Sequence, residues 1–220
     1  MNRVEADRNI LRVVRRAEAC RVLGPGVRAV VWFHGCSRGC AGCIAAEMNQ
    51  SDEVENWRAD ELAAWVNGCV GIEGVTLSGG EPLEQDLGTL STFLHLVKSN
   101  GRLGVIMFTG YRLEEVSEEA RNEVLPWLDV LVDGPYVEAL DDSRDLRGSS
   151  NQRIHFLTAR YQGMLGNFYG TECRNIEISL TLDNRVAING IPPHGLMDAL
   201  NKSLHDKGYG LSFEKRSKQP

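Results

Sequence analysis

Apolar residues in this chain fall into short runs that alternate between a strand period and a helix period. Residues 27–33, VRAVVWF, are rich in β-branched and aromatic side chains, which predicts a buried strand. Leu62, Trp65, Val66 and Cys69 recur at helical spacing and predict a helix over 57–69. Residues 74–77 read as a short strand. Leu83, Leu87, Leu90, Leu94 and Val97 then mark one helix face, with Thr89, Ser91 and Lys98 off it. A strand at 105–108, a helix at 113–127 and a strand at 130–132 continue the alternation. Strands alternating with helices predict a parallel sheet, because parallel neighbours need a crossover between them.

The pattern changes after residue 132. Residues 138–152 are polar and rich in Asp, Arg and Ser, and predict a long loop of the kind that is often functional in a compact domain. Strands are expected again at 154–161 and 177–189. The run LTLDNRVAING has the form of a hairpin turning at Asp183 and Asn184. A last helix is expected over 196–204, followed by EKRSKQP, a solvated tail. No internal repeat or low-complexity tract interrupts this order.

Composition narrows the class. The 220 residues fit one domain with a core, and 42% hydrophobic with 25% charged residues is ordinary for a globular protein. A net charge of −6 argues against a general nucleic-acid binder. The longest apolar stretches are strand-sized, too short for a membrane span. The start MNRVEADRNILRVVRR lacks the apolar core of a signal peptide, so the cytoplasm, where thiols stay reduced, is the expected compartment.

Unusual residues cluster where strands end. Residues 34–43 follow the first predicted strand, 78–82 the second, 109–111 the third and 133–136 the fourth. Ligands bind at the C-terminal ends of parallel strands, so these four segments are expected to line one site.

The first of them holds Cys36, Cys40 and Cys43 in HGCSRGCAGC, a C-x3-C-x2-C spacing. Chance would place that spacing only about 0.004 times in a chain with six cysteines. Three thiolates on one loop can hold three corners of a [4Fe-4S] cube and leave the fourth iron open to a substrate. The alternative is a structural zinc site with His34 or a remote residue as fourth ligand. Cys20, Cys69 and Cys173 stand alone and are expected to be small buried residues, so no second cluster is anticipated.

Each other motif has a plain and a functional reading. In SGGEP, Ser78 to Pro82, glycines let the backbone approach a ligand, or the segment is an ordinary turn with Glu81 in a helix's first turn. The GPGVR turn carries Arg28, which either shapes the turn or points into the site. Asp133 either bonds a ligand hydroxyl or caps its turn. Thr109 and Tyr111 either touch a ligand, Tyr111 by stacking, or complete the fold. In LRGSSNQR, Arg147 or Arg153 either clamps a carboxylate or pairs within a solvated loop. His95, His155, His194 and His205 have no partner visible in the sequence.

Together these residues resemble the radical S-adenosylmethionine (SAM) superfamily. The likeness is carried by GPGVRAVVWFHGCSRGCAGC, GVTLSGGEPLEQ, MFTGY, DVLVDGPY and LRGSSNQR, between residues 24 and 153. The last two segments and GPGVR look most like the activating proteins of glycyl-radical enzymes, in particular the type that serves anaerobic ribonucleotide reductase. Many superfamily members carry an aromatic residue just before the third cysteine. Gly42 stands there in this chain, which fits the reductase-activating type.

The resemblance implies an α/β fold, an incomplete TIM-type parallel β/α barrel with a short C-terminal hairpin and helix extension. It implies one domain over 1–220, with a core of about 20–165 and an extension of about 166–220. It implies that Cys36, Cys40 and Cys43 hold a [4Fe-4S] cluster whose open iron chelates the methionine end of SAM. Gly42, Ser78, Gly79, Gly80, Glu81, Thr109, Asp133 and Arg147 are the implied cofactor-binding residues, and no protein acid or base is required. A flavodoxin or ferredoxin would supply the electron, and a glycine of a partner glycyl-radical enzyme would give up a hydrogen atom. The polar loop 138–152 is then a candidate lid or docking surface. A radical enzyme acting on a small molecule, and a non-catalytic iron–sulfur or zinc module, are the alternatives.

Overall fold

The computed structural model describes residues 9–49, 51–170, 172–180 and 186–206. The turn expected at Asp183 and Asn184 and the tail expected over 214–220 lie outside them. A mixed α/β architecture forms around a seven-stranded sheet. Its strands are β1 (Leu11–Cys20), β2 (Arg28–Phe33), β3 (Glu55–Trp57), β4 (Gly74–Gly79), β5 (Gly104–Phe108), β6 (Val130–Asp133) and β7 (Arg153–Phe156). Their order across the sheet is β3-β1-β2-β4-β5-β6-β7. The centre, β2-β4-β5-β6, is parallel. Helices α2 (Ala59–Gly68) and α3 (Leu87–Lys98) make two of its crossovers. Strands β1, β3 and β7 pair antiparallel.

Two expectations change here. No strand was expected before residue 27, yet residues 11–20 form β1, the longest strand. Their arginines look solvent-bound in sequence, yet Arg15 stacks 4.6 Å from the Trp32 ring and Arg16 4.1 Å from the Trp57 ring. Rings and aliphatic stems thus cover a face that bare charge would leave wet. The expected strand 154–161 is shortened to β7 and runs antiparallel. Its connection from β6 carries no α-helix, in keeping with an antiparallel pair, which needs no crossover.

The expected helix 113–127 breaks into a 3-10 turn (Leu113–Glu115), α4 (Glu118–Glu123) and a second turn (Leu125–Trp127). Ser117 starts α4 by accepting the Ala120 N–H, and Pro126 in the following turn cannot extend it. A short α1 (Ala46–Asn49) follows the cysteine loop. Beyond β7, residues Ala159–Asn167 form 3-10 turns kinked at Met164. Strands β8 (Ile176–Leu180) and β9 (Val186–Gly190) pair antiparallel as a separate ribbon, and α5 (Leu196–His205) follows. Cys20 and Cys69 are buried as expected, whereas Cys173 is exposed.

The core is divided by the sheet. On one face Ala29, Val31, Phe33, Val75, Leu77, Val105 and Met107 pack against Leu62 and Val66 of α2 and Leu90, Phe93, Leu94 and Val97 of α3. On the other, Ile106, Val130 and Val132 meet Tyr161 and Phe168, while Val30 and Trp32 meet Cys20, Leu23 and Met48. Burial on both faces explains why β2 reads as an unbroken apolar run. No helix among the described residues is long and apolar enough to cross a membrane.

Candidate functional site

Parallel register aligns the strand ends. Phe33 of β2 stands beside Gly79 of β4, and Phe108 of β5 beside Val132 of β6. The segments 34–43, 80–82, 109–111 and 134–136 therefore leave the sheet along one edge, as the sequence pattern anticipated.

Cys36, Cys40 and Cys43 are free thiols, all half-buried. The loop that carries them turns through left-handed backbone at Gly35, Gly39 and Gly42, with φ of 89°, 58° and 71°. Burial pushes the Cys36 and Cys43 thiols up, and the Glu81 and Glu84 carboxylates push Cys36 the same way. Among the described residues, no three His, Cys, Asp or Glu side chains gather closely enough to hold one metal ion. A cube places each thiolate on a different iron, so its donors stand farther apart than the about 3.8 Å of two sulfurs sharing a tetrahedral ion. Three unpaired thiols on one glycine-rich loop are the donor set that a cube with one open corner requires. The Nδ1 atom of His34, the alternative zinc ligand, is buried without a partner, and burial lowers its pKa.

The SGGEP turn is stitched to that loop. The Gly80 N–H donates to Phe33 O at 2.8 Å and the Glu81 N–H to Gly35 O at 2.6 Å. A Cβ on Gly80 would stand 2.2 Å from Gly35 O, so only glycine permits this approach. Ser78, next to last in β4, is half-buried beside Trp32. Glu81 is 1% exposed. Its carboxylate accepts the Leu83 N–H at 3.0 Å, the Thr109 hydroxyl at 2.8 Å and the Gly110 N–H at 2.7 Å. Burial outweighs those donors and pushes the carboxyl up to about 7. Glu81 therefore caps its turn, as the plain reading had it, and also ties the β4 end to the β5 end.

Other expected residues are engaged with the protein. Asp133 is fully buried and receives Leu113 N–H at 2.6 Å and Arg153 through Nε at 3.1 Å and Nη2 at 2.5 Å. His155 Nε2 lies 3.1 Å from the same carboxylate, a partner the sequence did not reveal. These groups hold Asp133 below the usual carboxylate range against the opposing effect of its burial. Arg147 clamps carboxylates, but those of its own loop, Asp142 at 3.1 Å and Asp145 at 3.0 Å. Arg28 does not reach the site. It is buried at the opposite ends of the strands, bonded to Thr76, Tyr161, Pro25 O, Val75 O and Gly104 O.

The polar loop is bonded along its length in this arrangement. Ser149 bonds Val137 N–H and Asn151, while Asn151 and Gln152 donate to Pro135 O and Gly134 O. Arg174, which precedes β8, reaches into the loop. It donates to Arg147 O at 2.6 Å, Gly148 O at 2.8 Å, Asp141 at 2.6 Å and Pro192 O at 3.1 Å. Glu138, at the loop's start, rests on the cysteine loop. A Cβ on Gly42 would meet its carboxylate at 3.0 Å.

Sequence reasoning also missed the residues that hold the cysteine loop. Gln85 donates to His34 O at 2.9 Å. Glu84 accepts from Ser37 and Tyr111. The Arg38 guanidinium lies 4.7 Å from the Tyr111 ring and bonds Glu115 at 3.3 Å. The only sequence sign was a further carboxylate and amide directly after SGGEP.

Comparison with known proteins agrees with the cysteine geometry. A family described as a 4Fe-4S single cluster domain matches residues 22–155. The anaerobic ribonucleoside-triphosphate reductase-activating protein of Haemophilus influenzae is 34% identical over 142 residues, covering 60% of this chain and 89% of its own. Its counterpart in Salmonella typhi is 34% identical over 145 residues, covering 62% and 92%. The crystal structure of QueE from Escherichia coli aligns with a TM-score of 0.37 and 18% identity over 46% of this chain and 53% of QueE. A likeness that slight adds nothing to the argument for the fold.

Proposed function

Because this chain belongs to the 4Fe-4S single cluster domain family and, within it, to the anaerobic ribonucleoside-triphosphate reductase-activating proteins, we propose that it generates a glycyl radical on a partner reductase. It is a radical SAM oxidoreductase whose cofactors are a [4Fe-4S] cluster and SAM. The observation that carries this reading is the loop of three free thiols at the parallel strand ends, stitched to the SGGEP turn. A bound cluster would supply the electron for reductive cleavage of SAM, the chemistry that would lead to hydrogen-atom abstraction from the partner's glycine.

The chain's own residues bind, orient and exclude water. Cys36, Cys40 and Cys43 would hold the cluster. Ser78, Gly79 and Gly80 bring backbone close to the methionine amino group, with the Glu81 carboxylate behind them. Gly42, Thr109, Asp133 and Arg147 border the cosubstrate, Asp133 and Arg147 through the loops they fix. The pinned loop 138–152 walls the site, which protects a radical from solvent.

On this reading the sheet is an incomplete β/α barrel within one domain over 1–220. Its core covers about 20–165, and β8, β9 and α5 form an extension over about 166–220. A cytoplasmic flavodoxin or ferredoxin supplies the electron. The test is anaerobic rebuilding with iron and sulfide, reduction, and incubation with SAM and an anaerobic ribonucleotide reductase. A brown protein, 5′-deoxyadenosine and a persistent glycyl radical in electron paramagnetic resonance are expected, and Cys36→Ala abolishes all three. SAM cleavage without a radical on the reductase would transfer the reading to a small-molecule substrate. A colourless zinc protein that leaves SAM intact would end it.

A further inference from the structure

The cysteine loop is held by a carboxylate that is neither a ligand nor part of SGGEP. Glu84 closes the 3-10 turn Pro82–Glu84. Its Oε2 accepts the Ser37 N–H at 2.9 Å and its Oε1 the Ser37 hydroxyl at 2.5 Å. The same Oε1 accepts the Tyr111 hydroxyl at 2.9 Å. Ser37 directly follows Cys36, and Tyr111 stands just past the end of β5. One side chain thus joins three of the segments that leave the sheet edge. Arg38 doubles the link by lying 4.7 Å from the Tyr111 ring.

We infer that Glu84 is a positioning residue that fixes Cys36 relative to the SGGEP turn and the β5 end before any cluster is present. The physical ground is charge and geometry. A carboxylate takes two donors from one residue only if that residue's backbone and hydroxyl face it together, so the pair sets the orientation of Ser37. Charge-assisted bonds are about twice as strong as neutral ones. Glu84 makes no ion pair among the described residues, and these three donors are the partners its carboxylate has there. A residue serving only to cap the turn would not require that position.

This inference rests on the cluster reading for its meaning, but its first test needs no cluster. In the apo-protein, hydrogen exchange of residues 34–43 is compared for wild type, Glu84→Ala and Glu84→Gln. Glu84→Ala is expected to speed exchange across that segment about tenfold while β2, β4, β5 and β6 keep their protection, equal to about 1.4 kcal/mol of local opening. Glu84→Gln keeps an acceptor oxygen and is expected to restore protection to within about threefold. Tyr111→Phe and Ser37→Ala each remove one arm and are expected to fall between. In the rebuilt protein, a chelator is expected to strip iron from Glu84→Ala about tenfold faster than from wild type, with Glu84→Gln near wild type. Unchanged exchange in Glu84→Ala, or a loss spread evenly over the sheet, overturns the inference. If Glu84→Ala does not fold, the Tyr111→Phe and Ser37→Ala measurements decide alone. Failure of radical transfer in the earlier experiment leaves the apo-protein result standing, so the two readings fail separately.

Discussion

Replacing Arg174 by Met tests whether the chain after residue 170 anchors the loop 138–152. Methionine keeps most of the stem and removes the guanidinium. Arg174 and Asp141 bury a charge pair, with side chains 3% and 5% exposed. Breaking one partner of such a pair typically costs about 3–5 kcal/mol, because the remaining charge is left without its counter-ion. Asp141 retains the Ser143 N–H at 2.8 Å and the Tyr136 hydroxyl at 3.1 Å, which places the expected loss near the lower end. Three carbonyls, those of Arg147, Gly148 and Pro192, also lose their donor. For a domain of this size, about 3 kcal/mol lowers Tm by about 6–12 °C. Urea unfolding gives the free energy, and limited proteolysis shows where it is lost. Cleavage is expected within 138–152, since that segment depends on Arg174 for its anchorage. If the loop opens locally without global unfolding, the global loss is smaller and the new cleavage sites are stronger. The double variant Arg174→Met with Asp141→Asn should recover more than about 1 kcal/mol, because it removes the stranded charge. A single variant within about 1 kcal/mol of wild type and with unaltered cleavage would refute the burial of this guanidinium in the loop.

Two other perturbations act on the SGGEP turn. Gly80→Ala sets a methyl group 2.2 Å from Gly35 O, so the turn and the cysteine loop must part. It is expected to cost about 1–3 kcal/mol in urea unfolding and to lower iron per chain after rebuilding, with equal iron uptake as the contrary result. Glu81 has a folded-state pKa of about 7, above its unfolded value, so the native state holds an extra proton between the two. Its contribution to stability is full below about pH 4.3 and is lost as the pH rises through about 7, a fall of roughly 3 kcal/mol. Glu81→Gln should flatten that part of the stability–pH curve while lowering stability overall, since an amide cannot accept from every donor the carboxylate serves. An unchanged slope would show that another group causes it.

The centre of the fold was legible because its signals are local. Burial on both faces writes β2 as a continuous apolar run, and fixed spacing writes the cysteine loop into ten residues. Strand ends then follow from where each apolar run stops. What was not legible depends on pairing over distance. Arg15 and Arg16 look like solvated charges until Trp32, Trp57 and Trp65 cover them, so β1 reads as a terminal segment. The direction of β7 depends on the absence of a helix in the preceding link, and a polar composition alone does not say which way the chain returns. Glu84 acts on Ser37 across 47 residues and Arg174 on Asp141 across 33. Neither has a neighbour in sequence that hints at its partner. Asp133 was open in sequence between a ligand hydroxyl and its own turn, and its partners Arg153 and His155 lie on the antiparallel β7, 20 and 22 residues away.

The two ends of the parallel strands divide stability from chemistry. At the strand starts Arg28 is buried with its N–H groups on Thr76, Tyr161 and three carbonyls, and Asp129 joins Lys98 at 2.8 Å to Val105 N–H at 2.8 Å. Ions buried there are affordable only because each donor finds an acceptor, and such networks favour one arrangement over its competitors. At the strand ends the polar groups are also bonded, but across loops: Glu81 to Thr109 and Gly110, Glu84 to Ser37 and Tyr111, Asp133 to Leu113 and Arg153. Those bonds hold loops against one another, and the three thiols between them form no disulfide. A cluster therefore meets a loop whose shape is set by groups other than its ligands. The rigid strand-start network keeps the sheet in register, and the loop network converts that register into the placement of Cys36 beside the SGGEP turn.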